Sequence, residues 1–203
     1  MTRLRPGTLA LLVAVLCTAG SGCQLKRPDV VPARMIEPRL PDLPAPVASS
    51  SQPPSGLASA APIRLLDTQA RGHIGRRLLH QQAGGELVED PVWRWSSAPD
   101  RYLDSALRLG VASRSDVRLV DTGATAALAV TLIAWHLESA GSTRLVGAVE
   151  VQFTGIDRAV RTQVLRGSEP VSGELPGDLA DAAGRLLQTL ASEAITETTR
   201  AAR

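Results

Sequence analysis

Two cysteines and three histidines have the widest chemical range in this 203-residue chain. A thiolate can attack a carbonyl, hold a metal or accept an acyl group, and an imidazole can move a proton near neutral pH. Spacing limits what they can do. His73, His80 and His136 are scattered, with no pair at ligand spacing on a helix face, so they read as solvated or ordinarily hydrogen-bonded side chains. No Gly-x-Ser-x-Gly elbow occurs, and Gly167-Ser168-Glu169-Pro170 lacks the strand-turn-helix setting of a nucleophile and reads as a loop. The glycines never assemble into a phosphate-binding loop. The carboxylates fall mainly at caps, turns and exposed strand faces, as solubilising charge does, rather than as an acid/base pair. The sequence predicts no catalytic, cofactor-binding or metal-binding residue, and no enzyme.

The cysteines lead elsewhere. Arg3 and Arg5 give a basic start, residues 9–16 are an unbroken apolar run too short to span a bilayer comfortably, and small residues follow. This is the pattern of a secretory signal peptide, assigned to residues 1–22. Gly20-Ser21-Gly22 directly before Cys23 resembles a bacterial lipobox, where cleavage occurs before a cysteine whose thiol already carries diacylglycerol. The resemblance covers about four residues, and Gly20 stands where leucine is usual. Cys17 follows Leu16, where the cleavage pocket wants a small side chain, and reads as part of the apolar run. Cys23 is therefore the expected lipidation site. The competing reading is an ordinary signal peptide cut near Gly22, which would leave Cys23 as an unpaired thiol in an oxidising compartment. Gln24 occupies the position where Asp retains lipoproteins at the inner membrane in enteric bacteria, so sorting to the periplasmic face of the outer membrane is expected.

Without Arg3 and Arg5, the 22 basic residues fall level with the 20 acidic ones, and nothing calls for nucleic acid. With Cys23 the sole cysteine after the leader, no internal disulfide can form. Residues 24–62 are punctuated by nine prolines, from Pro28 to Pro62, a density that predicts neither helix nor strand. The stretch 23–62 reads as a lipidated cysteine followed by a semi-rigid, Pro-rich stalk that tethers a domain of residues 63–203. A recognition segment at Pro41-Asp42-Leu43-Pro44 is the alternative. On this reading a chain beginning near Ala61 should fold without the stalk.

Within 63–203, Ile63-Arg64-Leu65-Leu66 reads as a first strand, and two short apolar runs around Ala83-Gly84-Gly85 read as a hairpin. Ser97 is placed as an N-cap with Pro99 in the first turn; Tyr102, Leu103, Ala106 and Leu107 follow at helical spacing, and the helix is expected to stop near Gly110. Val117-Arg118-Leu119-Val120 is a short strand, and residues 128–137, 144–153 and 159–166 alternate as a three-stranded meander. Leu145, Gly147, Val149, Val151 and Phe153 share one face of its middle strand, with Glu150 and Gln152 opposite. Asp178 is placed as the cap of a last helix whose stripe is Leu179, Ala183, Leu186, Leu190 and Ala194. The expected class is α+β: an antiparallel sheet, made of the meander plus shorter N-terminal strands, covered on one face by two helices. Trp95 and Trp135 are expected in the core.

The order of stalk, early hairpin, Trp95-Ser96-Ser97-Ala98-Pro99, helix, meander and Ala-rich last helix resembles the auxiliary lipoprotein family of ABC-type transporters, which includes the paraquat-inducible lipoprotein. The resemblance spans most of the folded part and implies an accessory role beside an MCE-domain protein and its ABC permease and ATPase. Such systems move phospholipid or other hydrophobic molecules across the bacterial envelope. The implied partners are that complex and the membrane through the lipid anchor, with self-association as a further option. The chain departs from the family pattern in its longer stalk and in Trp93, whose place next to the helix start suits a contact with a partner or a lipid chain. An assembly or pilot lipoprotein for another outer-membrane complex is the competing role.

Three acyl chains on one cysteine should hold a protein stably at a membrane, where a single chain binds only marginally. Cys23→Ser protein should therefore leave the membrane pellet on fractionation. Retention like that of the wild type would place the anchor elsewhere.

Overall fold

The meander legible in the sequence is the spine of a larger, mixed sheet. The structure is a computed structural model that describes residues 32–40, 60–155, 157–173 and 175–202. Residues Met1–Pro32 and Ala33–Arg203 form separate units, and only Pro32 of the first is among the described residues. Eight strands build the sheet: β1 (Arg34–Ile36), β2 (Ala61–Ala70), β3 (Arg77–Gln81), β4 (Leu87–Trp95), β5 (Val117–Leu119), β6 (Ala126–Ala140), β7 (Ser142–Thr154) and β8 (Val160–Pro170). Two helices accompany them, α1 (Pro99–Ala112) and α2 (Gly177–Ala201).

β6, β7 and β8 pair antiparallel along almost their whole length, and Gly141 makes the tight β6–β7 turn with a φ of 88°. The other edge of β6 is shared. Its first half pairs parallel with β2, from Ile63 opposite Ala126 to Ala70 opposite Leu132. Its second half pairs parallel with β3, His80 opposite Leu137. The register of β6 against β7 shifts between Leu132 and Ala134, where β6 passes from one parallel neighbour to the other. β2 continues to β5, and β3 continues through the expected hairpin to β4. The expected antiparallel sheet is thus mixed. Parallel strands need a long crossover between them, and the chain from β2 to β6 supplies one that contains α1. Local alternation does not show such a pairing.

Both helices lie on one face of the sheet, as the buried stripe on β7 requires: Leu145, Val149 and Val151 are fully buried, Phe153 nearly so, and Gln152 is exposed. On α2 the stripe Leu179, Ala183, Leu186, Leu190 and Ala194 is buried together with Leu187, Ala191 and Ile195, because α1 covers a second side of the same helix. Gly110 does not end α1. It sits inside the helix against α2, where a Cβ would stand 2.7 Å from Ile195 Cδ1. Two buried threonines near the end of α2, Thr198 and Thr199, return their hydroxyls to the carbonyls of Ala194 and Ile195 at 2.8 and 2.7 Å, which satisfies them without another partner.

Neither predicted cap is used. Ala98 holds the N-cap position of α1, and Pro176 that of α2, with Asp178 in the first turn. At α1 the Tyr102 hydroxyl reaches back instead, accepting the Ser97 N–H at 2.8 Å and bonding Ser96 Oγ. An aromatic side chain already needed for the core thus ties down the chain just before α1, while no side chain caps the helix.

The larger correction concerns the stalk. Arg34–Ile36 is a strand, parallel to β4, inside the stretch expected to hold none. Ile36 is 1% exposed and joins the core beside Trp95. The chain then crosses onto α2, where the Arg39 N–H donates to the Ala180 carbonyl at 3.0 Å and its guanidinium meets Asp181 at 3.0 Å. Proline density rules out long regular elements, but a three-residue edge strand between Pro32 and Pro38 escapes it. A chain beginning near Ala61 would lack a fully buried isoleucine and this crossing, and should be less stable than one beginning at Ala33.

The contact over α2 depends on Gly184, where a Cβ would stand 2.0 Å from the Arg39 carbonyl oxygen. Glycine to alanine inside a helix ordinarily stabilises by about 1 kcal/mol. Gly184→Ala should instead destabilise, while Gly177→Ala, with nothing within 4 Å, should be neutral or mildly stabilising. Ile36→Ala should cost about 2–5 kcal/mol. Urea unfolding of the three variants checks this.

Candidate binding face

The chemistry-bearing side chains are spread over the sheet rather than gathered. His80 Nε2 meets Asp90 Oδ2 at 2.9 Å, the one His–carboxylate pair among the described residues. Asp90 Oδ1 accepts the backbone N–H groups of Val92 and Trp93 at 2.8 and 2.7 Å. Burial pushes the Asp90 carboxyl up, but the Trp93 and Val92 N–H groups and the His80 ring outweigh it and hold the carboxyl below its ordinary value. The group pins a backbone irregularity. β3 and β4 pair Arg77 with Arg94 and Leu79 with Glu89, so residues 90–93 of β4 bulge opposite Leu78 and are fixed by Asp90. Among the described residues no three His, Cys, Asp or Glu side chains could hold a metal.

That irregularity positions the tryptophans. Trp95 is 1% exposed, and its ring stands 5.8 Å from that of Trp135, tilted by 55°. Both pack in the core, as the sequence predicts. Their indole N–H groups find no acceptor among the described residues. Each loss costs about 1–3 kcal/mol, less than the roughly 4–6 kcal/mol from burying a ring of ~150–250 Å². Trp93 is half-buried against the core, and the Arg34 guanidinium lies over its ring, 5.6 Å from the centroid. It is thus a partly covered side chain between β4 and β1. Cys23 lies outside the described residues.

Sequence reasoning passed over the surface beside Trp93. A cleft of about 740 Å³ opens where β1, β4 and β3 meet, lined by Met35, Leu79 and Leu87 and by Arg76, Arg77, Arg94 and Glu89. Met35 is 52% exposed and Leu87 39%. Leu79 is buried without belonging to the core under the helices, so it forms an apolar floor of its own. Arg77 pairs with Glu89, and Arg76 Nε donates to the Trp95 carbonyl at 3.3 Å. The Arg76-Arg77 doublet is visible in the sequence; its meeting with Arg94 and Met35 across three strands is not. A second, smaller cleft of about 460 Å³, lined by Arg64, Thr125, Thr154 and Arg158, lies where β2 and β6 begin and β7 ends.

No protein-family model matches the chain, and no curated protein matches it by sequence. The fold has counterparts among solved structures. Protein XCC0632 from Xanthomonas campestris, of the family DUF330, aligns with a TM-score of 0.66 over 83% of this chain and 96% of its own, at 13% identity. The hypothetical protein CT253 from Chlamydia trachomatis aligns at 0.54 over 70% and 97%, at 11% identity. At these identities the likeness shows a shared fold. A minor lipoprotein from Acinetobacter baumannii aligns at 0.29 over 68% and 89%, at 11% identity, too distant to bear on this chain. Among the described residues no helix is long and apolar enough to cross a membrane.

His136 offers a pH test of the face turned away from the helices. Its Nε2 lies 3.1 Å from Gln81 Oε1. Burial holds its imidazole below the ordinary value, His73 acting in the same direction and Glu138 against it. Below about pH 6.5 the unfolded chain therefore binds the proton more readily than the folded one. Stability from this group is complete above that pH and is lost as pH falls through the lowered folded value. His136→Gln should flatten the slope of stability against pH in that window, as followed by denaturant unfolding from pH 7 downward.

Proposed function

We propose that this chain is a lipid-anchored accessory protein of an MCE-type ABC transport system, acting by binding a protein partner rather than by catalysis, in the movement of phospholipid or other hydrophobic molecules across the bacterial envelope. The observation that carries the reading is Cys23, set behind a leader pattern and ahead of an α+β domain. The element order of hairpin, Trp95-to-Pro99 run, helix, meander and last helix supports the family resemblance. The anchor acts at the outer membrane, on its periplasmic face, in keeping with Gln24.

The start of β1 at Arg34 shortens the link between the proposed anchor and the domain. Residues 24–33 alone connect Cys23 to β1. A fully extended chain gains at most about 3.6 Å per residue, so the link spans about 40 Å or less, shorter than a stalk running to residue 62. The domain works close to its own membrane, and any partner complex must come to it.

The test is purification of the full chain from its native membrane. It should bring down an MCE-domain protein, and deletion of the chain should disturb envelope lipid balance. Capture of a different outer-membrane complex without any MCE component would overturn this reading in favour of a pilot or assembly role.

A further inference from the structure

The cleft between β1, β4 and β3 combines two features that rarely share a surface without a ligand. The first is charge. Arg77 and Arg94 are register partners across an antiparallel pair, a placement in which like charges destabilise. Three arginines face one carboxylate there, and Arg77 already engages that carboxylate, Glu89. Arg94 has no carboxylate partner among the described residues, and the Nη2 of Arg76 reaches only the Met35 sulfur, at 3.8 Å, a weak acceptor. Guanidinium groups gathered in one cleft, two of them without a carboxylate partner among the described residues, suit a phosphate or carboxylate.

The second feature is the apolar lining. Exposed Met35 and Leu87 flank the buried floor of Leu79 in the same cleft, whose volume of about 740 Å³ lies in the range of small-molecule sites. Methionine adapts to irregular apolar partners. An anion alone would not need this lining, and an apolar ligand alone would not need the arginines.

We propose that this cleft binds one molecule of an acidic amphiphile, an anionic headgroup on an acyl chain, with the headgroup at Arg76 and Arg94 and the chain along Met35, Leu79 and Leu87. The site deepens the envelope reading above, since β1 follows Cys23 by so short a link. Binding is measured on the isolated chain, however, so its failure leaves anchor and partner untouched, and their failure leaves binding untouched.

The experiment uses the full chain in neutral detergent micelles doped with phosphatidylglycerol bearing a fluorescent acyl chain, against phosphatidylcholine with the same label. Phosphatidylglycerol should bind about tenfold more tightly, because phosphatidylcholine adds to the same phosphate a choline cation that the arginines repel. Arg94→Ala and Met35→Asp should each remove most of that preference; Arg94→Gln serves if Arg94→Ala unfolds. Arg64→Ala and Arg158→Ala, in the other cleft, should change nothing. Displacement by unlabelled phosphatidylglycerol, or by dodecanoate, supports the site and tells a phospholipid from a free fatty acid. The proposal is overturned if the two labelled lipids bind equally. It is equally overturned if Arg64→Ala weakens binding as much as Arg94→Ala does, which would mean diffuse surface charge, or if inorganic phosphate displaces the lipid as well as dodecanoate does.

Discussion

α2 can lie close on the sheet because two neighbouring strands each carry a glycine at the row where Leu186 meets them. Gly147 of β7 and Gly167 of β8 are register partners, and Trp135 of β6 is the partner of Gly147 on its other side. Leu186 drops into the space: a Cβ on Gly167 would stand 2.7 Å from its Cδ1, and one on Gly147 3.1 Å from both its Cδ2 and the Trp135 ring. Any larger residue in that row would lift the helix or turn the indole. The Trp135 ring in turn meets Trp95, and the Trp95 carbonyl holds Arg76. A helix–sheet contact on one side of the molecule is therefore continuous with the lining of the cleft beside β1.

The second constraint is the crossing of residues 33–40. Ile36 is committed to the core, Arg34 lies over Trp93, and Arg39 is bonded to α2 by backbone and side chain. The Arg39–Asp181 pair is exposed on both sides and contributes at most about 1 kcal/mol. Burial of the Ile36 side chain stabilises the crossing more, by about 1.5–3 kcal/mol. The crossing turns what reads as a tether into part of the domain. It also puts β1 at the edge where the cationic cleft opens.

Much of the fold was legible in residue order. Alternation along residues 144–153 fixes which face of β7 is buried, since side chains in a strand alternate with period two. The stripe on α2, the Ala83-Gly84-Gly85 hairpin and the coverage of one face by two helices follow from the same periodicities. The core positions of Trp95 and Trp135 followed from their size among few aromatic residues. Cap chemistry was not legible: no side chain caps either helix, and the Tyr102 hydroxyl instead accepts the N–H of Ser97 just outside α1.

Pairing between strands far apart in sequence was decided by the tertiary structure alone. Nothing local in residues 63–66 says that β2 lies parallel to β6, because a parallel register is set by what the crossover covers and not by the strand's own pattern. The same holds for Arg34–Ile36, a strand too short to carry a period, made stable by the edge of β4 and the pocket beside Trp95. It holds most of all for the cleft. Arg76, Arg77, Arg94, Met35 and Leu87 stand up to 59 positions apart in the chain, so their combined charge and apolar surface exists only once three strands are aligned. By itself the sequence determined most of the elements, their buried faces and the leader pattern ending at Cys23; the folded chain decided the strand at Arg34–Ile36 and which elements meet, and hence where a ligand could be held.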